Sequence, residues 1–412
     1  MRRTLLSLLF LAGLLIPASR ATLASPPVGD WPVTTPEEQG MDSAKLADAL
    51  VTMQQEIPDL HSILIIRDGK MVVDAYFYPY DGSMPHGVAS VTKTVMTTLI
   101  GIAVDQGKLR LDQPVLSFFP DRTIANRDER KERITVEQLA SMTSGLDCVW
   151  KPAEPTLHEM LESDDFVQFT LDLPMVAEPG STWEYCSPGM HLLSAILTKA
   201  TGQTALDFAW ANLFGPLGMG EVIWPADAQG YTRGWGDLFL YPRDVAKLGQ
   251  LWLNGGVWNG RQVVSADWMT AAATAKATTT QENDDYGYGW WITRESDVGG
   301  QFTARGRGGQ YVEVFPALDA VIVLTGAGSF ASGDALNLIT TALVDPTQAI
   351  PANPAGVAKL AVTVARLNAS PTPTSVSLPE TANAITGTSF AFAPNPTGFK
   401  TVLLDFDGSA EA

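Results

Sequence analysis

Apolar and polar positions alternate in two distinct rhythms along the chain, and the rhythms change in a definite order. Ser62 to Phe77 reads as two strands joined by Arg67-Asp68-Gly69-Lys70, because Asp-Gly between apolar runs is a strong hairpin signal. The stretch after Ser90 switches to helical spacing, with Val91, Val95, Leu99 and Ile102 on one face until Gly107 closes it. Thr135 with Gln138 three residues later is a capping-box pattern, which starts a short helix ending at Ser144-Gly145. Further helices are expected over 189–201, over 204–213, and from Tyr241-Pro242 to Asn254-Gly255, where proline suits a first helical turn. Strand patterns return at 288–292, 310–315 and 320–325, with Pro316-Ala317-Leu318-Asp319 as a turn, and a closing helix is expected over 334–344.

Strands at both ends of a long helical stretch predict an α+β fold: one antiparallel sheet completed from distant parts of the chain, flanked by helices, with an adjoining mainly helical lobe. Residues 31–344 form this unit. Prolines at 346, 351, 354, 371 and 373 mark 345–384 as a linker. Residues 385–412 carry two short strand patterns around Pro394-Asn395-Pro396, a β-rich segment that docks on the main domain or begins an incomplete second one.

Composition narrows the function classes. The chain has 412 residues, 45% hydrophobic and 17% charged, which suits a folded globular protein. Its net charge of −18, with no basic stripe, argues against nucleic acid and anionic membrane surfaces as partners. Arg2-Arg3, an apolar run from Leu5 to Pro17 and small residues at Ala18, Ala21 and Ala24 read as a signal peptide over 1–24. Nothing later reaches spanning length, so export to the periplasm or the extracellular space, with no span after cleavage, is expected. The four histidines lie far apart in no ligand-like spacing, and no metal site is expected. The two cysteines, Cys148 and Cys186, allow one internal pairing in an oxidising compartment; two buried thiols are the alternative.

Candidate chemistry starts at "GVASVTKTVMTTLIG", 87–101. Ser90 and Lys93 are three apart, so in a helix they share a face and the lysine amine reaches back to the hydroxyl. A serine is a weak nucleophile until a base takes its proton, and a lysine whose pKa is lowered can be that base. The plain alternative is a serine cap and a lysine snorkelling from a core helix. In "WEYCSPGMHLLSAIL", Tyr185 can relay a proton and Ser187 can hold the lysine by hydrogen bonding. In "ARGRGGQYVEVFP", glycines allow close approach to strand backbone, and an N–H near Arg307 can complete an oxyanion hole with that of Ser90.

These three elements in this order resemble the serine β-lactamase and penicillin-binding-protein superfamily. "LASMTSGL" (139–146), "EPGSTWEYCSPG" (178–189), "LFGPLGM" (213–219) and "YGYGWW" (286–291) are similar to its class C-like serine hydrolases. The resemblance implies the β-lactamase/transpeptidase-like fold and a cofactor-free acyl-enzyme route on a small-molecule or peptide-like substrate. In it Ser90 is the nucleophile, Lys93 the general base, Tyr185 the relay and Ser187 the third position of Tyr-x-Ser. Where β-lactamases carry Lys-Thr-Gly or His-Thr-Gly, this chain has Ala304-Arg305-Gly306. Loss of that lysine and threonine points away from β-lactams, while Arg305 or Arg307 can bind a carboxylate. Related sequences with "SGLDC" and "YC" imply a Cys148–Cys186 bridge beside the site. The leading expectation is an exported esterase- or amidase-like serine hydrolase. A penicillin-recognising β-lactamase or D-alanyl-D-alanine carboxypeptidase, and a non-catalytic envelope-binding protein of the same fold, are the alternatives.

Overall fold

A computed structural model describes residues 31–281, 283–295, 300–370, 379–393 and 399–406. The expected signal peptide lies outside the described residues.

The first hairpin forms as its sequence requires. Strands β1 (Leu60–Arg67) and β2 (Lys70–Tyr76) meet at Asp68 and Gly69, both with positive φ, the geometry that twists two flanking strands correctly. The chain then runs through the short β3 (His86–Gly87) into helix α2 (Val91–Asp105). β3 pairs with β4 (Phe239–Leu240), which lies 150 residues further along and precedes helix α9 (Pro242–Leu253). A small separate hairpin, β5 (Val257–Trp258) with β6 (Arg261–Gln262), follows α9. The main sheet is completed by β7 (Ala277–Thr278), β8 (Asp284–Tyr286), β9 (Trp291–Thr293), β10 (Gln301–Gly306), β11 (Gln310–Phe315) and β12 (Ala320–Gly326). Among the described residues its eight antiparallel strands lie in the order β2-β1-β12-β11-β10-β9-β8-β7.

Both faces of this sheet are covered, which explains the near-continuous apolar runs in its central strands. Leu64, Ile66, Val312, Val314, Val321 and Val323 pack into the core shared with α2 and α9. Ile63, Ile65, Ile322, Leu324 and Phe315 face the opposite way, into a second core with α1 (Ser43–Glu56) and α11 (Ser332–Thr340). The helical lobe contains α3 (Glu129–Arg133), α4 (Val136–Ala140), α5 (Pro155–Glu162), α6 (Phe166–Asp172), α7 (Ser187–Thr201) and α8 (Ala205–Ala209). It joins the sheet through α2, which packs on α7 and α8. The capping box at Thr135 and Gln138 is present in full.

Two expectations change. The strand anticipated over 288–292 is instead the β8–β9 turn, with Gly287 and Gly289 at its corners and only Trp291 and Ile292 in a strand. Tyr288 and Trp290 are apolar because the turn is buried against α2, where Thr97 donates to the Tyr288 carbonyl and Thr94 to that of Gly289. The middle of the expected linker is helix α12 (Pro354–Asn368), capped by Asn353 and packed on α1 and β2. Its prolines lie at and before the first turn, where proline initiates a helix instead of breaking one. Beyond it come α13 (Glu380–Ile385) and the exposed hairpin of β13 (Thr388–Ala391) and β14 (Thr401–Leu404). α10 (Ala266–Ala272) completes the helices and carries Trp268 against α2.

That contact yields a test of the packing. A Cβ on Gly101 would lie 2.3 Å from the Trp268 indole. Gly→Ala inside a helix ordinarily stabilises, yet Gly101→Ala is expected to destabilise by about 1–3 kcal/mol through overpacking, measured by denaturant unfolding.

Candidate active site

Helix α2 presents Ser90 at its N-terminus in a strained frame. Ala89, immediately before it, has φ 45°, a left-handed conformation that a non-glycine residue adopts only under constraint. The constraint is visible around it: Thr92 back-bonds to the Ala89 carbonyl at 2.6 Å, Val88 pairs with Leu238, and Gly306 of β10 lies against Val88 and Ala89. A Cβ at Gly306 would meet the Val88 carbonyl at 2.5 Å, so this close approach of strand and Ala89–Ser90 turn requires glycine.

Neither plain role holds for the Ser-x-x-Lys pair. Ser90 occupies the cap position of α2 but makes no capping hydrogen bond. Lys93 does not reach for solvent, since its side chain is buried at 1% exposure. Its Nζ donates to Ser90 Oγ at 2.8 Å and to the Trp235 carbonyl at 2.8 Å. Burial pulls the Lys93 amine down to about 8; Arg307 pushes the same way, while Glu154 and Asp237 oppose it. A lysine in this state is a usable proton acceptor near neutrality.

Tyr185 closes the other side. Lys93 Nζ lies 4.8 Å from the centroid of its ring, and the phenol is directed toward Ser90. Burial, then the charge of Glu154, raises the phenol well above its usual range, with the Ser90 hydroxyl pulling slightly back. Tyr185 therefore keeps its proton at neutral pH, whereas burial makes the Lys93 ammonium the readier of the two to lose one. Tyr185 stands in an aromatic wall, stacked on Trp291 at 6.1 Å and flanked by Trp150 at 5.4 Å and Trp183 at 6.3 Å. The amides of Ser90 and Arg307 donate to no protein acceptor among the described residues.

The remaining sequence candidates divide. Ser187, expected to hold the lysine, instead donates to the Glu154 carboxylate, and the Trp235 carbonyl takes the lysine's second hydrogen bond. Arg305, expected to face substrate, is committed to a bidentate ion pair with Asp284 at 2.5 and 3.1 Å and lies over Trp291. A guanidinium so paired is a structural clamp between β10 and β8. The Arg307 side chain is exposed, its guanidinium makes no hydrogen bond or ion pair among the described residues, and it is near enough to influence Lys93. Cys148 and Cys186 are bonded to each other, with Cα atoms 5.3 Å apart, next to Tyr185 and the start of α7. Among the described residues no group of three or more His, Cys, Asp or Glu side chains could hold a metal ion.

The sequence reading missed three contributors. The Trp235 carbonyl carries no side-chain signature, and Glu154 lies in a charged, proline-flanked stretch that resembles an ordinary loop. The aromatic wall was hidden because its members come from separate segments and tryptophans read first as packing.

The "Beta-lactamase" family model matches residues 43–341, and the chain belongs to that family. It is 24% identical over 313 residues to the 6-aminohexanoate-dimer hydrolase of Paenarthrobacter ureafaciens, covering 70% of this chain and 78% of that protein. A shorter match, 30% identical over 143 residues, is to esterase EstB of Burkholderia gladioli, covering 32% of this chain and 36% of the esterase. Among solved structures, the octameric penicillin-binding protein homologue from Pyrococcus abyssi superposes with a TM-score of 0.62 at 22% identity. That superposition covers 76% of this chain and 80% of the homologue. The protein is a serine hydrolase of the β-lactamase superfamily, with that superfamily's fold.

The bridge between Cys148 and Cys186 closes a sequence separation of 38 residues next to Tyr185. Replacing both cysteines by serine is expected to cost about 2–4 kcal/mol of stability. Ester turnover should fall further than the fraction of unfolded protein explains, as read from activity and unfolding on the same sample.

Proposed function

We propose that the protein is an exported serine hydrolase that cleaves small esters or amides through an acyl-enzyme on Ser90. The single observation that carries this reading is the 2.8 Å contact between Ser90 Oγ and a fully buried Lys93 amine. In its neutral form Lys93 takes the Ser90 proton as Oγ attacks the substrate carbonyl. The resulting oxyanion is received by the two unpaired amides, of Ser90 and Arg307, with the α2 N-terminus adding positive potential. As the tetrahedral intermediate collapses, the bond to the leaving oxygen or nitrogen breaks. Tyr185 gives its proton to that atom and is reprotonated from the Lys93 ammonium. Water then attacks the acyl ester by the same route in reverse, releasing the acid and restoring Ser90.

Substrate selection follows from what borders the nucleophile. The wall of Trp150, Trp183, Tyr185 and Trp291 suits an apolar acyl or leaving group. Arg307 is the cation available for a substrate carboxylate, since Arg305 is engaged by Asp284. An amide-cleaving relative and an esterase relative support both bond types. Ala304-Arg305-Gly306 in place of the β-lactamase triplet weighs against penicillins, and absence of Ser90 labelling by a fluorescent penicillin is the corresponding expectation. Export rests on the pattern of residues 1–24 and agrees with a disulfide in the mature chain.

Hydrolysis of a short-chain p-nitrophenyl ester by the mature protein is expected to fall at least about 1,000-fold in Ser90→Ala. In the wild type, kcat/KM should rise about tenfold per pH unit below pH 8 and level off above it, because the base must be neutral. Equal rates in wild type and Ser90→Ala would refute the assignment.

A further inference from the structure

Ser187 sits at 1% exposure in the first turn of α7, two residues after Tyr185, and its hydroxyl proton is given to Glu154. Glu154 is delivered to that position at a conformational cost. Ala153 and Glu154 both have positive φ, 57° and 54°, two consecutive non-glycine residues in the left-handed region. The Glu154 backbone is engaged at both its amide and its carbonyl. The Glu154 amide donates to the Trp150 carbonyl at 2.7 Å, and its carbonyl accepts from Leu157 and His158 at 3.0 and 3.2 Å. The segment is thus fastened twice to the start of α7, covalently at Cys148–Cys186 and by the hydrogen bond at Glu154–Ser187. A strained backbone held on both sides to aim one carboxylate at the Tyr-x-Ser turn is the signature of a functional position.

We propose that Glu154 is a positioning residue of the Ser90 centre, holding the Tyr185–Ser187 turn in place and supplying the negative charge that faces the buried Lys93 amine. This rests on the hydrolase reading above and adds to it a fourth side chain.

The charges around Lys93 come from every side. Glu154 precedes α5, Asp237 lies in the loop before β4 and is itself paired with Arg233, and Arg307 sits in the β10–β11 turn. Tyr185, backed by the buried Tyr286, faces it from the turn before α7. Behind Trp235, His191 Nε2 pairs with the Asp227 carboxylate at 2.9 Å, while the buried Nδ1 makes no hydrogen bond among the described residues. Glu154 and Asp237 favour the ammonium and Arg307 opposes it. Glu154 alone among them also bonds the motif that carries Tyr185.

Glu154→Gln keeps an acceptor for Ser187 and removes the charge. Without that charge Lys93 loses its proton more readily, so the acid limb of kcat/KM moves to lower pH. Relative to wild type normalised at its plateau, activity on the limb should rise about twofold or more. Ser187→Ala retains the charge and removes the bond, so its plateau kcat should fall about tenfold with the limb unmoved. The same shift is to be read without turnover, from the titration of the ε-13C resonance of Lys93, assigned by its loss in Lys93→Met. An unmoved limb and an unmoved Lys93 titration in Glu154→Gln, or wild-type kcat in Ser187→Ala, would overturn the proposal. Should Ser90→Ala retain activity, the hydrolase reading fails by itself, and the Lys93 titration still decides the charge role of Glu154.

Discussion

The burial of one lysine is the constraint on which the rest of the site depends. An ammonium removed from water loses solvation on the order of several kcal/mol, and a fold tolerates this only where partners replace the lost hydrogen bonds. Lys93 has two such partners, the Ser90 hydroxyl and the Trp235 carbonyl. Its remaining compensation is electrostatic, from Glu154 and Asp237. The result is an amine pulled down to about 8, the property that the proposed base role requires.

That arrangement explains why so much structure is spent on a short stretch of α2. Thr94 and Thr97 bind the helix that carries Ser90 and Lys93 to the buried β8–β9 turn. The sheet supplies the opposite wall, and Gly306 lets β10 come within contact of the Ala89–Ser90 turn. Arg305, clamped to Asp284 and resting on Trp291, ties that same strand to the aromatic wall behind Tyr185. The helical lobe then brings Tyr185 across through α7, whose start is fastened by the disulfide. Two cores, one on each sheet face, turn these local contacts into a fixed geometry.

What the sequence disclosed depended on how local each signal was. The Asp68-Gly69 hairpin, the Thr135–Gln138 box and the Ser90–Lys93 spacing are all complete within four residues, and each appears in the structure as read. The turn at 287–290 misled because burial against α2, a tertiary fact, makes a turn as apolar as a strand. Helix α12 was masked by prolines that mark its start. Glu154 and the Trp235 carbonyl could not be read at all, since one depends on a left-handed backbone and the other on a main-chain atom 142 residues from Lys93. The fold was therefore legible in its elements, and the Ser90–Lys93 contact in its spacing. The groups that tune the pair emerge only when distant segments are brought together.

The proposed route requires a covalent bond to form at one atom, Ser90 Oγ. The direct measurement is mass spectrometry of the protein acid-quenched during turnover of a slowly hydrolysed ester, followed by mapping of the peptide that contains Ser90. A mass increase equal to the acyl group is expected, located on Ser90, decaying as ester is exhausted and missing from Ser90→Ala. Turnover with no acylated species, or an acyl group on any other side chain, would contradict that route.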